Sequence, residues 1–334
     1  MPILRPILAM RLRPLALLSA LLLPALSHAA GDAGSCKYVP IARMDIDFSN
    51  HAYQAVVTGD VNGKPARMLL DTGSDETWLL RSAADRLGVT LSATGRYATG
   101  IGGASVIYRA NVNDFALGGA HSGKTLIPVL DAPAMQSPND AIVGADYLLQ
   151  TDMELSLAQK YMQFFRASDC AGTFLAYWDR DAMEIPFIGN SGAGKRPMVA
   201  VTLNGVKLNA ILDTGAMRTV VSRHGAELAG VKVDGPGVRQ GSKLQGIGDA
   251  HLDSWIADFH TFSIGEETVN NAEIAIVANS PQGESRVDVI LGIDFLRAHH
   301  VLFAMSQRRV YLSYLGGRLF GADQQAADAA PKAP

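Results

Sequence analysis

Met68-Leu69-Leu70-Asp71-Thr72-Gly73-Ser74-Asp75 is an apolar run that delivers an Asp into a tight Thr-Gly turn. Ala210-Ile211-Leu212-Asp213-Thr214-Gly215-Ala216-Met217 says nearly the same thing 142 positions later. One such stretch is ordinary, because Asp, Thr and Gly are common turn residues. Two copies indicate a duplicated unit in which a pair of carboxylates can meet at one centre.

The duplication extends outward from the two turns. Upstream, Val61-Asn62-Gly63-Lys64 matches Leu203-Asn204-Gly205-Val206, and each reads as an Asn-Gly hairpin turn feeding the Asp-bearing strand. Downstream, Thr99-Gly100-Ile101-Gly102-Gly103 parallels Gln245-Gly246-Ile247-Gly248-Asp249, and Phe115-Ala116-Leu117-Gly118 parallels Phe262-Ser263-Ile264-Gly265. The last anchor is Ile142-Val143-Gly144-Ala145-Asp146 against Ile290-Leu291-Gly292-Ile293-Asp294. The offset drifts from 142 to 148 along the chain, as small loop insertions in a common scaffold would make it do. Each anchor is followed by a short helical patch and two alternating strands, around 153–165 and 301–314. These features predict a first lobe over 38–168 and a second over 183–316, joined through a mobile loop at 189–194. A disordered tail is expected over 320–334.

Composition narrows the function. Net charge is only −3 and no basic block occurs, so nucleic-acid binding has no electrostatic support. With 33 Gly and few aromatics, many short strands and turns are favoured over long helices. At the N-terminus, Arg5, Arg11 and Arg13 precede the apolar run Leu15–Leu23, and Ser27-His28-Ala29 has the small-x-small form of a cleavage site. Residues 1–29 therefore read as a signal peptide, with an uncleaved anchor as the alternative. The expected location is periplasmic or secreted, with no stable membrane insertion after cleavage. In such a compartment Cys36 and Cys170 can form one bridge or remain two thiols, and spacing alone leaves this open. No cofactor is called for, and no metal, because two Cys without His at ligand spacing do not make a zinc site.

Taken together, the Asp-Thr-Gly turns, the Gly-rich loops and the apolar-apolar-Gly anchors resemble the aspartic protease family, retropepsin-like in detail and duplicated within one chain, as in bacterial exported members. The resemblance implies a mainly all-β fold: two β-barrel lobes related by a pseudo-two-fold axis, with short helices, paired as an intramolecular pseudo-dimer in a monomer. Pairing between chains is the other possible arrangement. The resemblance also implies that Asp71 and Asp213 are catalytic and that Thr72 and Thr214 hydrogen-bond across the interface. Gly73 and Gly215 would let the backbone pass close beneath the carboxylates. Ser74 would hold the Asp71 carboxylate with its hydroxyl, which Ala216 cannot do for Asp213. Gly100, Ile101, Gly102 and Gly103 would form one flap over the substrate, and Gly246, Ile247 and Gly248 a second.

The chemistry asks for the same arrangement. Two close carboxylates cannot both ionise easily, so one keeps a proton while its partner can activate water. The pepsin-type dyad is the established illustration of this effect. The expected partner is an extended polypeptide, bound as a strand and hydrolysed. The alternative is a peptide- or protein-binding module that keeps the fold without turnover. Other residues carry plainer expectations: Asp146 and Asp294 as helix-start residues, His299 and His300 at the end of a short helix, Trp78 and Trp255 in the core. Tyr97 is read either as touching substrate or as part of a surface turn, and residues 30–50 either as a pro-segment or as a leading strand.

Overall fold

The computed structural model describes residues 36–47, 54–100, 103–131, 137–190, 195–244, 251–278 and 287–320. The expected signal peptide, most of the expected tail, and Ile101, Gly102, Gly246, Ile247 and Gly248 of the two glycine loops lie outside them. The protein is mainly β, with two lobes built on the same plan and only short helices.

Each repeat starts from a hairpin. Asn62 and Gly63 take φ of 55° and 77°, and Asn204 and Gly205 take 49° and 82°. This left-handed pair suits a two-residue turn whose twist matches that of the flanking strands. The first hairpin joins strands Val56–Val61 and Lys64–Leu70, and the second joins Pro197–Leu203 and Val206–Leu212. The outgoing strand of each hairpin carries the Asp. It pairs in parallel with the short strand of the apolar-apolar-Gly anchor, Ala141–Val143 or Val289–Leu291. That strand in turn pairs antiparallel with Trp78–Leu80 or Val220–Ser222, which follows the Asp turn. Ala141–Val143 and Trp78–Leu80 are buried throughout and read as continuous apolar runs, as strands covered on both faces do.

The two repeats own a nine-stranded and an eight-stranded sheet respectively, but a third sheet belongs to both. Its order is Lys37–Asp45, Tyr161–Ser168, Asp152–Ser156, His299–Ala304, Arg309–Tyr314, Met183–Pro186. The seam between repeats runs through its centre, where Met153 pairs with Phe303 and Leu155 with Val301. One continuous apolar core, from Ile46 to Phe320, spans both repeats. Cys36 and Cys170 are bridged at a Cα separation of 4.4 Å, fastening the start of the edge strand to the segment that leaves the sheet.

Several residues differ from the reading of the sequence. Residues 37–45 form a sheet strand, so the leading-strand alternative holds for them. Gly189–Asn190 pairs with Met198 and Pro197 and is no loop, while 191–194 lie outside the described residues. His299 and His300 open a strand beyond the helix Ile293–Leu296, because Nδ1 of His299 already bonds the Phe295 carbonyl and the chain there turns extended. Phe320, assigned to the tail, is buried against Phe262 and Phe295. Trp78 is a core residue, whereas Trp255 is half-buried under Arg223. Tyr97 lies on the strand Thr90–Gly100 with 67% of its surface exposed, and so is in neither a turn nor a core.

Candidate active site

The last residue of each Asp-bearing strand hands the chain to the turn, and the parallel ladder runs one step further. Asp71 N–H donates to the Val143 carbonyl and Asp213 N–H to the Leu291 carbonyl, each at 2.9 Å. The anchors thereby set the height of both carboxylates. The two carboxyl groups come to one centre, each lying against the glycine of the opposite turn and each perturbing the other's titration.

Thr72 and Thr214 hold the turns together reciprocally. Thr72 N–H donates to Thr214 Oγ1 at 3.0 Å, and Thr214 N–H donates to Thr72 Oγ1 at 3.1 Å. Each hydroxyl then donates across the interface, Thr72 to the Leu212 carbonyl at 2.7 Å and Thr214 to the Leu70 carbonyl at 2.8 Å. Both threonines are buried, so these bonds face no competition from water. A Cβ on Gly73 would collide with the Asp213 carboxyl, and one on Gly215 with that of Asp71. Each turn passes beneath the other turn's acid.

Ser74 departs from its expected role. Its hydroxyl donates to the Glu76 carbonyl at 2.7 Å, because that local acceptor lies two residues away, and Asp71 receives backbone N–H groups instead. Gly73 N–H reaches Asp71 Oδ1 at 3.0 Å; Gly215 and Ala216 N–H reach Asp213 Oδ1 at 2.8 and 3.1 Å. On the first flap, Gly100 pairs with Gly103 at the tip of the hairpin Thr90–Gly100 and Gly103–Val112.

Burial raises the Asp71 pKa well above its ordinary value, and the neighbouring Asp213 charge adds to the rise. Burial raises Asp213 as well, opposed by the Gly215 N–H, the adjacent Asp71 carboxyl, the Ala216 N–H and the nearby charge of Arg196. The two carboxyls therefore titrate as one coupled pair.

Two groups of supporting residues escaped the sequence reading. Arg196 precedes the first strand of the second repeat and reaches back to the first. Its Nη1 donates to the Gly73 carbonyl at 2.9 Å and its Nε to Asp75 Oδ1 at 3.0 Å; Lys195 N–H joins on the same oxygen at 2.9 Å. The mirrored positions hold Gln54 and Met217, so an Arg–Asp ion pair cannot form there. The second group is duplicated. Thr77 Oγ1 accepts from Gly144 N–H and donates to Asp146; Thr219 Oγ1 accepts from Gly292 N–H and donates to Asp294. The recurrence of Thr six residues after the Asp of each Asp-Thr-Gly turn was a usable signal. Asp146 and Asp294 do lie in short helices, but their carboxylates are committed to these threonines.

Among the described residues, no group of three or more His, Cys, Asp or Glu is placed to hold a metal ion. The sequence profile of a family described as Aspartyl protease matches residues 57–147 and 199–295, one segment in each repeat and together more than half of the chain. No curated protein matches the chain. Among solved structures, the crystal structure of basic 7S globulin from soybean aligns at 12% identity, covering 85% of this chain and 99% of that chain, with a TM-score of 0.43.

Proposed function

The chain belongs to the aspartyl protease family, and from that premise we propose that it is an exported endopeptidase of the duplicated, retropepsin-like type, hydrolysing peptide bonds in extended polypeptides. The observation that carries the proposal is the meeting of Asp71 and Asp213, each against the other's Thr-Gly turn, held in place by the reciprocal Thr72–Thr214 bonds. Burial and mutual repulsion favour one shared proton on the pair. The ionised carboxylate then takes a proton from an attacking water, while the protonated partner donates toward the scissile carbonyl oxygen as the tetrahedral intermediate forms. The titration belongs to the pair, so a pH–rate profile reports two apparent values of the dyad.

The flap hairpin would lie over the bound strand and exclude water. Recognition would come mainly from backbone hydrogen bonds, as in other strand-addition modes. The Cys36–Cys170 bridge supports an oxidising compartment, and with the N-terminal signal pattern it favours a periplasmic or secreted location.

The test is cleavage of an unfolded protein and a mixed peptide library between about pH 3 and 7.5, the span over which such carboxylates titrate. Asp71→Asn and Asp213→Asn, each confirmed folded, are both expected to abolish cleavage. Full activity in either variant sinks the dyad mechanism. A folded parent that binds peptides without cutting them moves the chain to a binding module.

A further inference from the structure

The repeats share a backbone plan but not the side chains laid against their acids. Along Lys64–Leu70, Met68 and Leu70 enter the main core, whereas Leu69 points the other way into a separate small cluster. By strand alternation Leu69 is on the face that carries Asp71. That cluster, which includes Trp78, Leu80 and Ile107, is therefore an apolar layer on the carboxylate side of the first sheet, reaching Ala98 on the flap hairpin.

Strand register identifies the matching positions in the second repeat. Trp78 pairs with Ile142 as Val220 pairs with Ile290. Leu80 and Ile107 both pair with Leu130, as Ser222 and Ser254 both pair with Val277. Thus Trp78, Leu80 and Ile107 are replaced by Val220, Ser222 and Ser254. An indole and two branched alkyl groups become one small alkyl group and two hydroxymethyls.

The consequence is visible in the burial. Trp78, Leu80 and Ile107 are all buried, as are their partners Leu130 and Ile142, so the first layer fills itself. In the second, Val220 and Ser254 are buried too, but Ser222 and the partner residues Val277 and Ile290 are only half-buried. The hydroxyls are already engaged there: Ser222 Oγ accepts from Gly225 N–H, and Ser254 Oγ donates to the Ser242 carbonyl. Where the first repeat has an indole and two larger alkyl groups, this side therefore offers space and alkyl surface, and neither serine hydroxyl is left for a ligand.

We infer that side-chain selection is carried unequally by the two repeats: the Val220 side takes a bulky apolar residue of the substrate, while Trp78 restricts the opposite side of the scissile bond to small residues. Trp78 and Val220 are the specificity-determining pair. This rests on the proposed reading of the dyad as the floor of a peptide-binding cleft. A pocket change of this size is worth tenfold or more in discrimination, since even one methylene shifts it by roughly 10–200-fold.

The test uses two peptide sets, bulky apolar on one side or on the other of a common core, with the full mature chain. Cleavage is measured for the parent, and equilibrium binding is measured in the Asp213→Asn background so that recognition is read without turnover. The parent is expected to prefer one set by at least roughly tenfold. Val220→Trp, or Val220→Phe if the larger ring prevents folding, should erase that preference; Trp78→Val, or the milder Trp78→Phe, should admit the other set. Binding with the expected preference but no cleavage supports the asymmetry and rejects the catalytic reading. Cleavage with no preference between sets, or a preference unmoved by both folded substitutions, overturns the asymmetry and leaves the catalytic reading in place. Absence of both binding and cleavage overturns both.

Discussion

Burial lifts both dyad carboxyls above the ordinary carboxylate value, and on Asp71 the neighbouring negative charge lifts further. The folded chain therefore holds a proton at Asp71 more tightly than the unfolded chain does. Stability from this group is fully present below its ordinary value of 3.8 and is lost as pH rises through the folded value. Asp71→Asn, which removes the charge, is thus expected to melt higher than the parent at pH 7. The rise should be at least about 2 °C, the shift that ~1 kcal/mol produces in a domain of this size. Thermal melts from pH 7 down to about pH 3.5 should show the gain shrinking as the parent takes up its proton. Identical melting at every pH would mean that the carboxyl is not strained by its site. At this scale the chain was legible where residue identity alone carries the chemistry: Asp71, Asp213 and the two threonines stand out in one line of text. Ser74 was not legible, because two acceptors competed for one hydroxyl and only the folded turn shows that Glu76 wins. Arg196 was invisible for another reason, its partner Asp75 lying 121 positions away.

Elements carry the second level of support. The Asp-Thr-Gly turn is tied to the anchor strand by Thr219 in one repeat and Thr77 in the other, each hydroxyl acting as both acceptor and donor. Gly144 and Gly292 are needed because a Cβ there would meet the backbone of Glu76 or Arg218 in the turn itself. Asp294 is deeply buried and its pKa is raised by that burial, so its bonds from Thr219 are what make its position tolerable. Thr219→Val keeps the shape but removes the hydroxyl, leaving the Gly292 N–H and one Asp294 bond unmade. We expect a loss of roughly 2–6 kcal/mol, from two buried groups at ~1–3 kcal/mol each. Urea unfolding should show it as a lower midpoint at unchanged slope, with Thr219→Ser restoring most of it. A midpoint within error of the parent would show that the hydroxyl does not hold the turn. The hairpins, the Asp strands and the anchors could all be read from the repeat, since each is a local pattern. Their pairing order could not, because the anchor strand enters between two strands that precede it by some 60 to 80 residues.

At the scale of the whole molecule, the dyad depends on the sheet that neither repeat owns. Its seam is closed by a buried polar cluster as well as by apolar packing. Glu154 from the first repeat meets His300 from the second at 2.7 Å, and Tyr161 and Tyr177 donate to the same carboxylate. Trp178 stacks on the imidazole at a centroid distance of 4.0 Å. The sequence held no sign of this cluster, since His300 and Glu154 lie 146 positions apart and their meeting requires both repeats to be folded. Burial by itself would raise the Glu154 pKa, but the bonds from His300, Tyr161 and Tyr177 overcome it and hold the carboxyl below its ordinary value of 4.5. A depressed carboxyl stabilises the fold above its unfolded value, and that stabilisation is lost as pH falls through the folded one. Glu154→Gln should therefore cost about 3 kcal/mol at pH 7, the range seen when one partner of a buried pair is removed. The deficit should narrow below about pH 4.5, where the parent begins to lose the same charge. Because the strands on either side of this seam lead back to the two anchors, the weakened variant should also lose the proposed peptide cleavage at temperatures well below its melting point. Melts from pH 3.5 to 8, run beside the cleavage assay, separate the possibilities. A deficit that does not change with pH would mean that Glu154 acts only by filling space. A pH-dependent deficit with cleavage intact would mean that the seam can loosen without parting the two carboxylates.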